Sequence, residues 1–129
     1  MRSLWYNPRV WCVAIFVCAA AARFTHIAWD QNHFFHPDER AVAYAVQRLS
    51  FSPLQLDPDF FAYGSLPIYL TKIVNSAVAF FDPHAATYDG VILNGRRFSA
   101  LMGSLTVLLT MLVGGRLYGR RTGLLAGLL

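Results

Sequence analysis

The sequence predicts an all-α integral membrane protein. Hydrophobic residues make up 56% of its 129 residues and charged residues only 14%, whereas a typical soluble domain carries about 25% charged residues. Apolar runs at 10–29 and 98–115 are close to the ~20 residues that a membrane-spanning helix needs. A weaker run covers 66–82, a polar connector that contains Pro83 and Gly90 continues to residue 97, and another apolar run begins at residue 122. We therefore expect residues 1–129 to form part of a multi-span helical bundle.

The charged residues are unevenly distributed along the chain. All seven acidic residues lie between Asp30 and Asp89, so the net charge of +4 arises from the two ends. The arginines of these ends flank apolar runs and form no compact basic surface, which argues against nucleic acid as a partner. Arg2 and Arg9 precede the first run. The positive-inside rule therefore predicts a multi-pass protein of the cell (inner) membrane with a cytoplasmic N-terminus and the loop 30–65 outside.

The first apolar run also resembles a signal peptide. Its small residues from Ala19 to Ala22 are typical of a cleavage region. The run continues to Trp29, however, and this length favours an uncleaved membrane anchor. Arg23 lies inside the run, and we expect its side chain either to extend to the membrane surface or to face a polar cavity.

One helix start is clear within the loop 30–65. Pro37 suits the first position of a helix, and Asp38 and Glu39 then fall in the first turn, where carboxylates complement the helix dipole. Apolar residues follow at helical spacing: Val42, Ala45, Val46 and Leu49. We predict a short amphipathic juxtamembrane helix from Pro37 to about Leu49, lying on the membrane surface. The Ser-Pro and Asp-Pro pairs at 52–53 and 57–58 then break the helical pattern.

The adjacent acids Asp38 and Glu39 have a structural and a functional interpretation. Acids in the first turn commonly stabilise a helix and need no other role. A general base, in contrast, must lie within hydrogen-bond reach of an acceptor hydroxyl. A carboxylate in a first helical turn is rigidly placed and stays ionised, as such a base requires.

A metal site is a third interpretation of the loop. His33 and His36 are three residues apart, and Asp57 and Asp59 could add oxygen ligands. The Asp-x-Asp spacing is weak evidence, because Asp-Pro is also ordinary turn chemistry. We therefore predict no metal ligands and no required cofactor, with a divalent metal as the alternative.

Three stretches of the chain resemble one enzyme family. They are HPDERAVAYAVQRL (36–49), LDPDFFAYGSLPIYL (56–70) and RRFSALMGSLTVLLTMLVGGRLYGRRTGLLAGLL (96–129). In content and order they are similar to the N-terminal part of the GT-C glycosyltransferases, in particular the protein mannosyltransferase and aminoarabinose-transferase-like enzymes of bacteria. The resemblance implies an extracytoplasmic loop with an acidic motif and a juxtamembrane helix, followed by the second, third and fourth spans.

This resemblance also implies an activity and a set of site residues. The enzymes transfer a sugar from a polyprenyl-phosphate-linked donor to an acceptor hydroxyl, with inversion at the anomeric carbon. By position, Asp38 would be the general base, with Glu39 and His36 in support. The ring of Tyr63 would contact the substrate. A departing phosphate needs positive charge near its oxygens, and the expected groups are those of the basic turn: Arg116, Arg120 and Arg121.

The resemblance covers an N-terminal fragment of these enzymes, which are several times longer. The remaining spans complete the donor and acceptor pockets, so the isolated chain is expected to lack parts of the site. We expect it to need the missing C-terminal part or another membrane chain, besides membrane lipid and the donor.

The side of the membrane on which the basic turn lies depends on the run 66–82. Lys72 and Asn75 interrupt this run. If it spans, as the resemblance implies, the turn lies outside and opposes the positive-inside rule. If it does not span, the turn lies in the cytoplasm and obeys the rule.

Two other functions fit the sequence. A non-catalytic membrane subunit would use its small-residue pairs, Ser99/Gly103 and Gly123/Gly127, to pack against a partner helix. A small transporter component would instead direct Arg23 and Lys72 into a polar path.

Overall fold

The protein is mostly α-helical. A computed structural model describes residues 7–31 and 33–129, and Arg2, one of the charges that predict the orientation of the chain, lies outside the described residues. In chain order the elements are α1 (Pro8–Phe24), α2 (Pro37–Arg48), the strands β1 (Ser50–Phe51) and β2 (Leu54–Gln55), α3 (Leu66–Ala79), a 3-10 helix (Pro83–Ala86), α4 (Tyr88–Tyr118) and α5 (Arg120–Leu128).

The chain divides into two compact units. The first, which we call the polar unit, comprises Ile27–Phe98. The second, the apolar unit, comprises Met1–His26 and Ser99–Leu129. Helix α4 contributes its first turns to the polar unit and the rest to the apolar unit.

Helix α1 ends earlier than the sequence predicts. The apolar run continues to Trp29, but the 17-residue helix stops at Phe24. Thr25 adopts an extended conformation, and its hydroxyl donates back to a carbonyl of the last turn. The carbonyl of Ile27 accepts a hydrogen bond from Arg96 in the polar unit. The end of the apolar run therefore belongs to the loop and not to the helix.

Helix α2 confirms the predicted amphipathic helix. It begins at Pro37 as expected and ends at Arg48, and Leu49 directly after it is buried. Its buried face, Ala43, Ala45 and Val46, packs in one cluster with Phe34, Ile68, Val91 and Ile92. Because the chain itself covers this face, these side chains are not available to the membrane surface on which we expected the helix to lie.

A small hairpin follows α2 where the sequence indicates only a break. Ser50 pairs with Gln55 and Phe51 pairs with Leu54 in an antiparallel ladder. Pro58, beyond the second strand, is fully buried. The prolines of this segment thus end the helical pattern, as predicted, and the hairpin adds a structure that the spacing of the prolines does not reveal.

Helix α3 is shorter than the run that predicts it. It has 14 residues, Leu66–Ala79, in place of the expected 66–82. A helix of this length measures ~21 Å, well below the ~30 Å of a hydrocarbon core. Asn75 is buried, and its side-chain carbonyl accepts a hydrogen bond of 2.9 Å from Asn94 of α4. Asn75, one of the polar residues that interrupt the apolar run, therefore makes an internal contact of the polar unit.

Helix α4 is longer than the span that predicts it. Residues 88–97, expected as part of a polar connector, are helical, and the helix continues for 31 residues. The hydroxyl of Thr87 accepts a hydrogen bond from the N–H of Gly90 at its start. Gly90 also lies so close to the carbonyl of His84 that a Cβ would not fit. This glycine, which suggests a break, is instead required by packing.

Within the described part of the chain, α4 is the one helix long and apolar enough to cross a membrane. Its interior-facing residues in the apolar unit include Ala100, Ser104 and Met111, whereas Leu109, Leu112 and Val113 are exposed. The hydroxyl of Ser104 donates to the carbonyl of Ala100 within the helix. The buried hydroxyl is therefore satisfied without a partner from another element.

Helix α5 folds back onto α4 after a turn at Gly119. The φ of Gly119 is +93°, a conformation that favours glycine. A Cβ on Gly123 would lie 2.5 Å from the carbonyl oxygen of Met111 and 2.5 Å from the nitrogen of Gly115. A Cβ on Gly127 would meet the side chain of Met111. The two glycines predicted to pack against a partner helix therefore contact α4 of the same chain.

Candidate functional site

At the centre of the polar unit, one guanidinium lies between two carboxylates. Arg96 comes from α4, Asp30 from the loop after α1, and Glu39 from the first turn of α2. The Nε and Nη2 atoms of Arg96 donate to the two oxygens of Glu39 over 2.9 and 2.6 Å. Its Nη1 and Nη2 atoms donate to the oxygens of Asp30 over 3.1 and 2.7 Å. Nη1 also donates to the carbonyl of Ile27 over 2.8 Å.

These contacts use the full hydrogen-bonding capacity of Arg96. A guanidinium has five N–H donors, and five hydrogen bonds reach three acceptor groups. The side chain of Arg96 is 9% exposed and that of Asp30 is fully buried. The ring centroids of Trp29 and Phe34 lie 5.6 and 5.8 Å from the Cζ atom of Arg96. Arg96 therefore joins the loop, α2 and α4, and no donor is left to bind a phosphate.

The arginine gives the two adjacent acids different roles. Both oxygens of Glu39 accept hydrogen bonds from Arg96, so a base at this position would first have to give up a bidentate, charge-assisted contact. The side chain of Asp38, in contrast, is 54% exposed. Asp38 therefore keeps the capacity to accept a proton from an incoming hydroxyl, and Glu39 fixes the helical turn that carries it.

Tyr63 lies beside Asp38. Hydrogen bonding to the carboxylate of Asp38 is the largest cause of a raised pKa of Tyr63, with smaller contributions from desolvation and from the negative charge of Asp38. The loop segment between β2 and α3 thus returns to the first turn of α2. The residue expected to contact substrate and the residue expected to act as base are neighbours, and both remain exposed.

His36 supports the start of α2. Its Nδ1 accepts a hydrogen bond of 3.3 Å from the backbone N–H of Asp38 and lies 4.0 Å from the carboxylate. Because Nδ1 accepts from a backbone N–H, the proton of the neutral ring is on Nε2. His36 is therefore the N-cap of α2 and holds the backbone of Asp38 in place.

The residues of the alternative metal site have other contacts. His33 bonds the carbonyl of Asp30 over 2.9 Å and stacks on Phe35. Asp57 accepts a hydrogen bond from the backbone of Asp59, whose carboxylate pairs with Arg48. Across residues 7–31 and 33–129, no three His, Cys, Asp or Glu side chains form a group that could hold a metal ion.

The three arginines of the basic turn belong to the apolar unit, not to the unit that contains Asp38. Arg116 and Arg120 line a cleft of about 510 Å³ together with Arg9. Arg121 is exposed and does not line it. The structure therefore groups two of these predicted substrate residues with Arg9, which the sequence indicates only as an orientation signal.

Several residues on which the other two functions depend make contacts within the chain. Gly103 lies against the guanidinium of Arg23, whose Nη1 donates to the carbonyl of Ala19. Gly123 and Gly127 lie against α4. Gly103, Gly123 and Gly127 therefore contact residues of the same chain in the apolar unit.

The residues that sequence reasoning missed are Asp30 and Arg96. Both lie at the edges of apolar runs, where charges commonly mark only the end of a span. The sequence does show an imbalance of charge in this region, because the loop from Asp30 to Gly64 carries five acids but only two arginines. Such an excess indicates a basic partner from elsewhere in the chain, although it does not identify which one.

No protein-family model matches the chain, and no curated protein or solved structure is significantly similar to it.

Proposed function

We propose that the chain is the N-terminal part of a GT-C-type glycosyltransferase that uses Asp38 as its general base. One observation supports this assignment most strongly: of two adjacent acids, Glu39 is held by Arg96 while Asp38 is exposed on the same rigid turn. If the two acids served only to cap the helix, one of them would not need to be bound by an arginine while the other stays exposed. The assignment of the substrates rests on the resemblance of the three stretches to that family.

In the proposed reaction Asp38 accepts the proton of the acceptor hydroxyl. The hydroxyl oxygen forms a bond to the anomeric carbon of the donor sugar as the bond from that carbon to the phosphate oxygen breaks. The bonding pair leaves with the polyprenyl phosphate, and attack from the opposite face inverts the anomeric centre. The Tyr63 hydroxyl orients the carboxylate, and His36 and Glu39 hold the backbone and side chain of the turn in place.

The proposed topology has two spans in the inner membrane. One is the apolar part of α4, and the other is α1, whose 17 residues measure ~26 Å and so approach the thickness of a hydrocarbon core more closely than α3 does. Helix α3 is too short to cross, at ~21 Å. Moreover, the contact of Arg96 with Glu39 joins the start of α4 to the loop 30–65, so both lie on one side of the membrane. Residues 98–115 of α4 then lead to the opposite side. The basic turn is cytoplasmic and obeys the positive-inside rule.

On this topology the basic turn does not contact the donor phosphate beside Asp38. The compensating charge there must come from the missing part of the enzyme or from another basic side chain of the extracytoplasmic loop. Arg40 is exposed one residue beyond Glu39 and is the candidate that the described residues offer.

The catalytic assignment is tested by Asp38→Asn in a strain whose only copy of the gene carries the variant. Transfer of a labelled sugar from a polyprenyl-phosphate donor should fall by about 10²- to 10⁴-fold, the usual contribution of a general base. Asp89→Asn is the matched control, since Asp89 is an exposed acid in the first turn of α4. Unchanged transfer in Asp38→Asn membranes that contain normal amounts of protein would refute the assignment.

The topology is tested with single cysteines in a background that lacks Cys12 and Cys18. A cysteine at Arg121 should react with a membrane-impermeant maleimide only after the cells are opened, whereas a cysteine at Asp57 should react in intact cells. Both positions are exposed. Labelling of position 121 in intact cells would show that α3 spans and would restore the basic turn to the donor side.

A further inference from the structure

The cleft between the ends of three helices in the apolar unit has the character of an anion site. Arg9 comes from the first turn of α1, Arg116 from the last turns of α4, and Arg120 from the start of α5. The cleft has a volume of about 510 Å³, within the ~300–1,000 Å³ of small-molecule sites. Gly115, which has no side chain, also lines it.

The charge of this cleft has no compensation within its unit. All seven acids of the chain lie between Asp30 and Asp89, so the apolar unit contains no carboxylate. Its described residues carry five arginines: Arg9, Arg23, Arg116, Arg120 and Arg121. Three guanidinium groups around one cleft repel each other, and an anion bound among them would remove that repulsion.

The surroundings of the cleft identify the source of the anion. Leu112 lines the cleft and is 51% exposed, and Val113 and Leu109 on the same helix are also largely exposed. A ligand that places a phosphate among the arginines can therefore lay an apolar chain along α4. A free inorganic phosphate would gain nothing from these side chains, whereas a membrane lipid would bury them.

We propose that the cleft formed by Arg9, Arg116 and Arg120 binds the phosphate headgroup of an anionic membrane lipid. The arginines bind the phosphate oxygens through bidentate hydrogen bonds, as guanidinium groups do, and the acyl chains contact the exposed face of α4. The bound lipid ties the start of α1 to the turn between α4 and α5. This site is independent of Asp38 and of the proposed glycosyl transfer.

The test is a binding titration of the full chain in neutral detergent micelles. Short-chain phosphatidylglycerol is the probe, with short-chain phosphatidylcholine and inorganic phosphate as the comparison ligands. We expect the phosphatidylglycerol to bind with the highest affinity. Equal binding of phosphatidylcholine would overturn the requirement for net negative charge, and equal binding of inorganic phosphate would overturn the assignment to a lipid.

Variants decide whether the cleft is the site. Arg116→Gln combined with Arg120→Gln should weaken phosphatidylglycerol binding by roughly 10- to 30-fold, from ~1 kcal/mol for each arginine near an anionic lipid. Arg121→Gln is the matched control, because Arg121 is adjacent and exposed but outside the cleft. An equal loss in the control would show that general positive charge, and not the cleft, binds the lipid.

A third variant covers the case in which the double variant does not fold. Arg9→Gln alters a different helix and leaves the turn between α4 and α5 intact. It should weaken binding by about 5-fold, from the same ~1 kcal/mol, with an unchanged helical circular dichroism spectrum. Normal binding by folded Arg9→Gln protein would remove α1 from the site and contradict the proposal.

Discussion

The two units bury very different interiors. In the polar unit the interior includes the charged pair Asp30 and Arg96 and the amide pair Asn75 and Asn94, each bonded to partners within the unit. In the apolar unit the described interior consists of small and apolar groups, and helices meet where Gly123 leaves no room for a side chain. One interior depends on complete hydrogen bonding and the other on the close fit of backbones.

The units differ in charge as well. The polar unit contains all seven acids of the chain, whereas the apolar unit contains arginines and no acid. A buried carboxylate needs an internal cation, while arginines at the ends of apolar helices can bind lipid phosphates. The buried charges of the polar unit are therefore paired within it, whereas the arginines of the apolar unit have no acid in their own unit to pair with. Four substitutions test this difference.

The largest expected effect is that of Arg96→Ala. Removal of one partner of a buried ion pair commonly costs about 3–5 kcal/mol, and here it takes away the guanidinium that donates two hydrogen bonds to the fully buried carboxylate of Asp30. Hydrogen exchange of the α2 amides and denaturant titration in detergent should both report the loss. Arg97→Ala is the control, since Arg97 makes one hydrogen bond, to Asn94. Equal destabilisation by the two variants would contradict the central role of Arg96.

A smaller effect is expected from Gly123→Ala in the apolar unit. Its Cβ would meet the backbone of α4 at 2.5 Å, and overpacking of this kind costs about 1–3 kcal/mol. Gly103→Ala is the matched control, because its Cβ meets the far end of the flexible Arg23 side chain at 2.9 Å. Protection of α5 from proteolysis should fall in the first variant only. If both variants behave like wild type, close backbone contact does not stabilise this unit.

The next effect concerns the amide pair of the polar unit. Asn75→Ala removes the acceptor of the Asn94 amide, and we expect a loss of about 1–2 kcal/mol because a buried donor is left without its partner. A double-mutant cycle with Asn94→Ala, measured by denaturant titration, isolates the pair. Additive losses would show that the 2.9 Å contact contributes no coupling energy.

The smallest effect is a change in titration at the exposed site. The hydrogen bond to Asp38 raises the pKa of Tyr63 above its ordinary value near 10. The interaction between Tyr63 and Asp38 therefore contributes fully to stability below the ordinary tyrosine pKa near 10. This contribution is lost as the pH rises through the raised pKa of Tyr63 in the folded protein. Asp38→Asn should lower this pKa toward 10. Ultraviolet titration of the tyrosinates, with Tyr63→Phe as the reference that identifies the band, measures the shift. An unchanged pKa of Tyr63 in Asp38→Asn protein would show that the two side chains do not interact.

Local features of the fold were predictable from the sequence. Proline, two acids and an apolar repeat place the start of α2 at Pro37 and its buried face at Ala45 and Val46, and the structure confirms both. The membrane-compatible helix in 98–115 also follows from composition alone. The start of α2 is encoded within one or two helical turns, and the apolar helix is encoded by one continuous run of residues. In both cases the signal comes from neighbours in the chain.

The ends of α1, α3 and α4 and the separate roles of Asp38 and Glu39 were decided only by tertiary structure. Arg96 contacts Glu39 and Asp30 across 57 and 66 residues of chain. No local pattern encodes such a contact, because an arginine before an apolar run has the same sequence signature whether it faces lipid, water or two carboxylates. The sequence by itself determined that the chain contains an apolar run long enough to cross a membrane and an acidic helix start. The long-range ion pair decided that Arg96 holds Glu39 while Asp38 stays exposed.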